Sequence, residues 1–242
     1  MVFIFDMDGV LVDNHKWHFE AWVEFGKKYG MEITAGEFGK QFGSTNRQVL
    51  VSLFGNVLSE EQVIALGNEK EDIYRQLYLP FIKPVDGLPE FLQNIYTKDI
   101  PIALATSAPP ENVEFTLDNT GLKKYFSVIT DATKVTLGKP DPQVYLLTAA
   151  KLGVEPAECI VFEDSVPGIK SAQNAGMRVI AVATTHKPEE LLMYSNEIIM
   201  NFEASKEHVQ EAGEPKKQTS TANEKTNYFS PEHYFTFYGS TR

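Results

Sequence analysis

A doubly wound parallel α/β sheet, with an all-helical domain inserted after its first strand, is the fold class this sequence predicts. Three observations carry that reading. Short, continuously apolar runs recur along the chain with helical patterns between them, the mark of strands covered on both faces. Nearly a hundred residues separate the first such run from the second, and 14–83 contain no convincing strand. The first run ends in Asp6-Met7-Asp8-Gly9-Val10, two carboxylates two positions apart followed by a glycine.

The strands are expected at Val2–Phe5, Ile102–Ala105, Val128–Thr130, Ile160–Phe162 and Val179–Ala183, with a weaker one at Ile198–Met200. Helices are expected over 88–97, 111–120, 142–152 and 166–175. Asp141-Pro142 supplies an N-cap and a first-turn proline for the third of these, and Gly153 and Gly176 end the third and fourth. This alternation gives the layered core. The insertion reads as helices at about 15–29, 36–42, 46–54 and 60–79. A single crossover needs far less chain, so this stretch should form a cap above the carboxyl ends of the strands. The expected division is a core of 1–13 and 84–204, a cap of 14–83 and a tail of 205–242. Asp13-Asn14 and the bracketing prolines Pro80 and Pro84 mark the crossings between cap and core. In the tail, 205–227 is polar and expected to be disordered, and aromatics from Tyr228 to Tyr238 close it.

Composition narrows the function classes. The 242 residues are 43% hydrophobic, enough for real cores, and carry a formal net charge of −11. That charge disfavours nucleic acid as a partner, because phosphate backbones are gripped by clustered lysine and arginine. No apolar run is long enough to span a bilayer and no signal peptide is visible, so no membrane partner is expected. Cys159 is the only cysteine and lies in an apolar run. It reads as a small buried residue in a reducing compartment, and a cytoplasmic location is the expectation. Neither a GxGxxG nor a GxxxxGK[ST] phosphate loop is present.

Chemistry-bearing residues fall at strand ends. Asp6 and Asp8 follow the first strand, Thr106-Ser107 the second, Lys139-Pro140 the third and its loop, and Glu163-Asp164-Ser165 the fourth. In open α/β sheets these ends face the ligand crevice. Clustered carboxylates repel one another, and a hard cation such as Mg²⁺ is the usual remedy. Taken singly, each residue has a plainer reading: Asp164 and Ser165 as helix caps, Lys139 as a solvated charge, Thr106 as a strand residue. Taken together, five strand-end coincidences would be needed.

With these motifs in this order, residues 1–204 resemble the haloacid dehalogenase superfamily of phosphotransferases, and within it the β-phosphoglucomutase group and related sugar-phosphate phosphatases. The resemblance implies that Asp6 attacks phosphorus to form an aspartyl phosphate. It implies Mg²⁺ held by Asp6, the backbone carbonyl of Asp8, and Asp164, with Glu163 as a further acidic ligand or outer-shell group. Asp8 would act as general acid and base, Lys139 would neutralise Asp6 and the transferring group, and Thr106 with nearby amides would hold phosphoryl oxygens.

In the cap, His18, Trp22, Phe25 and Tyr29 form a helical stripe. The plain reading of His18 is a core histidine. The resemblance makes His18 the cap histidine that steers Asp8, and Lys70 the cap lysine, with Trp22, Arg47, Ser107 and Asn112 completing a substrate-binding set. Departures are visible too. Arg47 stands one residue late after Gly43, Asn14 replaces a threonine or serine, and Ala108-Pro109-Pro110-Glu111-Asn112 lacks the lysine that mutases place at a second phosphate site. These departures favour a phosphatase acting on a small sugar phosphate. The alternative is a β-phosphoglucomutase-like isomerase. A third class, a non-enzymatic phosphate-responsive module, shares acids, threonine and lysine at strand ends but not the insertion or the order of motifs. A monomer is expected.

Overall fold

The computed structural model describes residues 1–40 and 45–203. The expected disorder of 205–227 and the aromatic end of the tail lie outside the described residues, as do Gly43 and Ser44.

Six parallel strands form one sheet in the order β3-β2-β1-β4-β5-β6. They are β1 (Val2–Phe5), β2 (Ile102–Ala105), β3 (Val128–Thr130), β4 (Cys159–Glu163), β5 (Arg178–Val182) and β6 (Ile198–Ile199). β1 and β4 are buried along their whole length, as continuous apolar runs require. Chain order reverses at β1, so the crevice at the carboxyl ends of β1 and β4 is the topological switch point.

Two apolar layers sandwich the sheet. On one face Phe3, Phe5, Phe91, Phe126, Phe162 and Phe202 pack together, with Phe5 and Phe162 stacked at 4.7 Å between ring centres. On the other, Val2, Ile4, Val161 and Val179 meet Tyr145, Ile169 and the buried Cys159.

The insertion contains α1 (His15–Lys28), α2 (Ala35–Lys40), α3 (Asn46–Phe54) and α4 (Glu60–Tyr78). Trp22, Phe25, Phe38, Val49, Leu50 and Val63 give it an apolar centre of its own. Ser59 and Thr45 start α4 and α3 with reciprocal side-chain and backbone bonds to Gln62 and Gln48. The core helices are α5 (Leu88–Tyr96), α6 (Pro110–Thr120), α7 (Gln143–Leu152) and α8 (Val166–Asn174). Among the described residues no helix is long and apolar enough to cross a membrane.

Two local expectations need correction. Pro142 is the N-cap of α7 and not its first helical residue; Asp141 still caps it, accepting the Gln143 N–H at 2.9 Å. Glu163 is not a residue beyond β4. It is the last residue of the strand, paired with Ala181 and fully buried.

Candidate active site

β1 delivers Asp6 directly into the switch point. The Asp6 N–H donates to Phe162 O at 3.0 Å, which continues the β1–β4 ladder one step past the strand. The chain then turns back on itself: Leu11 N–H donates to Met7 O and Gly9 N–H to Val12 O, both at 2.8 Å. Gly9 is required at this turn. Its φ is +73°, and a Cβ there would lie 1.9 Å from Asp164 Oδ2.

Lys139 lies between two acids. Its Nζ is 2.9 Å from Asp6 Oδ1 and 2.5 Å from Glu163 Oε1, and the ammonium is almost wholly buried. Burial alone would push the lysine down, but the charges of Asp6 and Glu163 outweigh it and hold it above its ordinary value. Glu163 has no free oxygen. Oε1 also accepts from Tyr145 Oη at 2.8 Å, and Oε2 accepts from Asp164 N–H, Ser165 N–H and Ser165 Oγ. These bonds fix Lys139 and the start of α8, which suits the outer-shell role among its two expected readings. Gly168 makes room for it: a Cβ at that position would sit 1.8 Å from Glu163 Oε1.

Asp6, Glu163 and Asp164 each offer an oxygen within 4.8 Å of the others, so the group could hold a metal ion. Three buried carboxylates face one ammonium. Asp6 Oδ1 is buried and, apart from its ion contact with Lys139, receives no aligned hydrogen bond. Burial pushes Asp6 up to about 7, against the pull of Lys139 and with help from Glu163 and Asp8. Burial likewise raises Asp164 well above the carboxylate range, with Glu163 and Asp6 adding to it. Thr185 Oγ1 donates to Asp164 Oδ2. A hard divalent cation fits this arrangement: oxygen donors, excess negative charge and an unsatisfied lone pair. Asp6 presents that lone pair, and Glu163 and Asp164 complete the acidic group.

Thr106 is buried at the end of β2, its N–H bonded to Thr130 O at 2.9 Å and its Oγ1 accepting the Ala108 N–H at 3.0 Å. Ser107 beside it is exposed.

The insertion reaches Asp8 from above. Asn14 Nδ2 donates to Asp8 Oδ1 and to Tyr74 Oη, both at 2.7 Å. His18 Nε2 lies 3.9 Å from Asp8 Oδ1, its ring stacked on Tyr74 at 3.9 Å. Burial pushes Asp8 up, but His18 and the Asn14 bond outweigh it and leave the carboxyl below its ordinary value. Lys70 is buried, with Nζ 2.8 Å from His18 Nδ1 and 2.9 Å from Glu71 Oε1.

Thus Asp6, Asp164, Lys139 and Glu163 converge, Asp8 meets His18 and Asn14 with Lys70 behind His18, and Thr106 stands at the neighbouring strand end. Three other expected residues behave differently. Trp22 is packed in the apolar centre of the insertion, where it backs Lys70, whose Nζ is 5.3 Å from the ring centre. Arg47 is exposed and paired with Glu60. Asn112 is buried and spent on two helix α4 side chains, donating to Glu71 Oε2 at 2.7 Å and accepting from Arg75. Asn14, Glu71, Tyr145 and Thr185 are the additions that sequence reasoning did not assign. For Asn14 there was a signal, its unusual place directly after the Asp8 turn. For the others there was none, since their partners are brought in by the fold.

Residues 3–182 match the model of the haloacid dehalogenase-like hydrolases, and the chain belongs to that family. A phosphorylated carbohydrates phosphatase of Thermotoga maritima is 32% identical over 213 residues, covering 81% of this chain and 98% of its own length. A family IA, variant 3 hydrolase of this superfamily from Entamoeba histolytica superposes with a TM-score of 0.81 at 31% identity, covering 87% of this chain and 98% of its own. A β-phosphoglucomutase of Clostridium difficile superposes at 0.76 and 27% identity, over 87% and 96%.

Proposed function

We propose that this protein is a Mg²⁺-dependent phosphatase that removes the phosphoryl group of a small sugar phosphate through an aspartyl phosphate on Asp6. The observation that carries the reading is Asp6 itself: a buried carboxylate at the switch point, held by Lys139 at 2.9 Å, with one oxygen lacking an aligned hydrogen bond. Carboxylates serve as nucleophiles in this way when charge on the transferring group is neutralised nearby. Lys139 supplies one such charge. Thr106 Oγ1 and the Ser107 amide at the end of β2 hold the phosphoryl oxygens. Mg²⁺, bound through Asp6, Asp164 and the Asp8 carbonyl, supplies charge neutralisation and orientation.

Asp8 gives a proton to the leaving sugar oxygen and later takes one from the attacking water. In the free protein its depressed titration suits the second task. An incoming phosphate adds like charge beside it and raises the proton's hold, which suits the first. His18 and Asn14 orient the carboxyl for both.

Water as acceptor is supported by two features. Arg47, the one arginine near the position where a mutase grips a second phosphate, is paired with Glu60, and prolines replace the lysine after Ser107. We place the protein in the cytoplasm as a monomer, the single cysteine supporting a reducing compartment. The relative from Thermotoga maritima, named for phosphorylated carbohydrates, supports the substrate class.

Phosphate release from a panel of sugar phosphates tests this. The proposal expects turnover that needs Mg²⁺ and is lost in Asp6→Asn. Turnover surviving in that variant at a tenth of the wild-type rate would sink the nucleophile, and inactivity on every sugar ester would sink the substrate class.

A further inference from the structure

Glu71 is a carboxylate buried in helix α4, outside the catalytic crevice, yet two of its bonds lead to the two things a capped phosphatase must coordinate. Oε2 accepts from Asn112 Nδ2, on the first turn of core helix α6, at 2.7 Å. Oε1 accepts from Lys70 Nζ at 2.9 Å and from Asn46 Nδ2, on α3, at 2.7 Å. Arg75, one turn along α4, donates to the other end of the Asn112 amide and so fixes which way that amide points.

From Lys70 the connection runs on to the acid–base group. An ammonium has only donors, so at 2.8 Å Lys70 Nζ donates to His18 Nδ1. A neutral imidazole accepting at Nδ1 carries its proton on Nε2. Nε2 lies 3.9 Å from Asp8 Oδ1 and 3.4 Å from Asn14 Nδ2, which itself donates to Asp8 Oδ1. The stacked ring of Tyr74 keeps the imidazole in this plane. A line of hydrogen-bonded side chains thus joins Asn112 in the core to His18 through Glu71 and Lys70, and places His18 3.9 Å from Asp8.

We propose that Glu71 is a positioning residue that ties the seating of the helical insertion on the core to the alignment of Asp8. When Asn112 occupies Oε2, the carboxylate is turned so that Oε1 anchors Lys70, and Lys70 fixes the His18 tautomer that faces Asp8. Loss of the Asn112 contact frees the carboxylate to rotate, and the tautomer is no longer imposed. The inference rests on the phosphatase reading for the role of Asp8. A plainer role, in which Glu71 merely balances the buried charge of Lys70, would weaken the fold without favouring one substrate over another.

Two measurements on Glu71→Gln separate these. The first is kcat/KM with Mg²⁺ on β-glucose 1-phosphate and on p-nitrophenyl phosphate. The sugar needs its leaving oxygen protonated; nitrophenolate departs as an anion and needs little help. The ratio of the two constants cancels any loss of folded enzyme. A misaligned Asp8 should lower the sugar-to-nitrophenyl ratio by about tenfold or more, within the usual reach of general acid catalysis. A ratio unchanged within about twofold would overturn the proposal. The second is the ring ¹⁵N spectrum of His18, which needs no turnover. The wild type should show the proton on Nε2, and Glu71→Gln a mixture of tautomers. An unchanged spectrum would overturn the proposal. A wild type that hydrolyses neither ester would sink the phosphatase reading, and the His18 spectrum would then decide the coupling by itself.

Discussion

Asp6 is buried beside the like charges of Glu163 and Asp8, and its raised titration is a usable signature. Its carboxyl is raised to about 7 mainly by burial, so in the metal-free protein the charged form costs folding energy above its unfolded value of 3.8, and the cost is complete above about 7. Asp6→Asn should therefore do two things at once. It should abolish phosphate release, and it should stabilise the metal-free protein at pH 8 by on the order of 2 kcal/mol, read as a higher denaturant midpoint. The same shift couples metal to protons. A carboxylate must lose its proton to bind a cation, so Mg²⁺ affinity measured by calorimetry should weaken as pH falls below about 7, with proton release on binding. Constant affinity from pH 8 to 5.5 would contradict the assignment of Asp6 as a ligand. At this scale the crevice was largely legible: Asp6, Asp8, Thr106, Lys139 and Asp164 stand where strand ends and motif order put them. For Glu163 the sequence left two roles open, outer shell or ligand, because its bonds to Lys139 and Tyr145 come from two other segments.

Elements explain why the insertion was harder to read. The run Glu69-Lys70-Glu71-Asp72 has the composition of a solvated helix face, yet Lys70 and Glu71 are both buried. Their burial comes from Asn112, 41 positions away, and from His18 on α1. Glu71 is held down to about 2: burial would raise it, but Lys70 and then His18 outweigh burial. Its contribution is therefore complete above the unfolded value of 4.5 and lost as pH falls from there through about 2. Between pH 5 and 2.5 the wild type should lose about 2 kcal/mol more stability than Glu71→Gln, measured by urea unfolding. Equal losses would mean that Glu71 is not paired as described. Trp22 shows the opposite error. A stripe of His18, Trp22, Phe25 and Tyr29 looks like one face, but only His18 reaches the crevice side, while Trp22 and Phe25 fill the insertion's centre. In the core, α8 depends on a glycine that sequence reading passed over. Gly168→Ala would drive a methyl into Glu163, costing about 2 kcal/mol or more and displacing Lys139 with it. Thermal unfolding and phosphate release should fall together in that variant.

Across the whole molecule, the division of labour is between a sheet that builds the phosphoryl-transfer end and an insertion that supplies the group facing Asp8. The sheet was the more legible half. Its strands are apolar throughout, a pattern that survives without tertiary information, and the gap after β1 announced the insertion before any contact was known. What the insertion selects was less legible. Its candidates divide between an inward set, His18 with Lys70, and an outward one, Arg47 with Glu60. That division is the physical ground for preferring water over a second sugar hydroxyl as acceptor. A phosphorus NMR time course with Mg²⁺, β-glucose 1-phosphate and a trace of glucose 1,6-bisphosphate tests it most directly. Signal is expected to move into inorganic phosphate. Signal moving instead into glucose 6-phosphate would contradict it and make the protein a mutase.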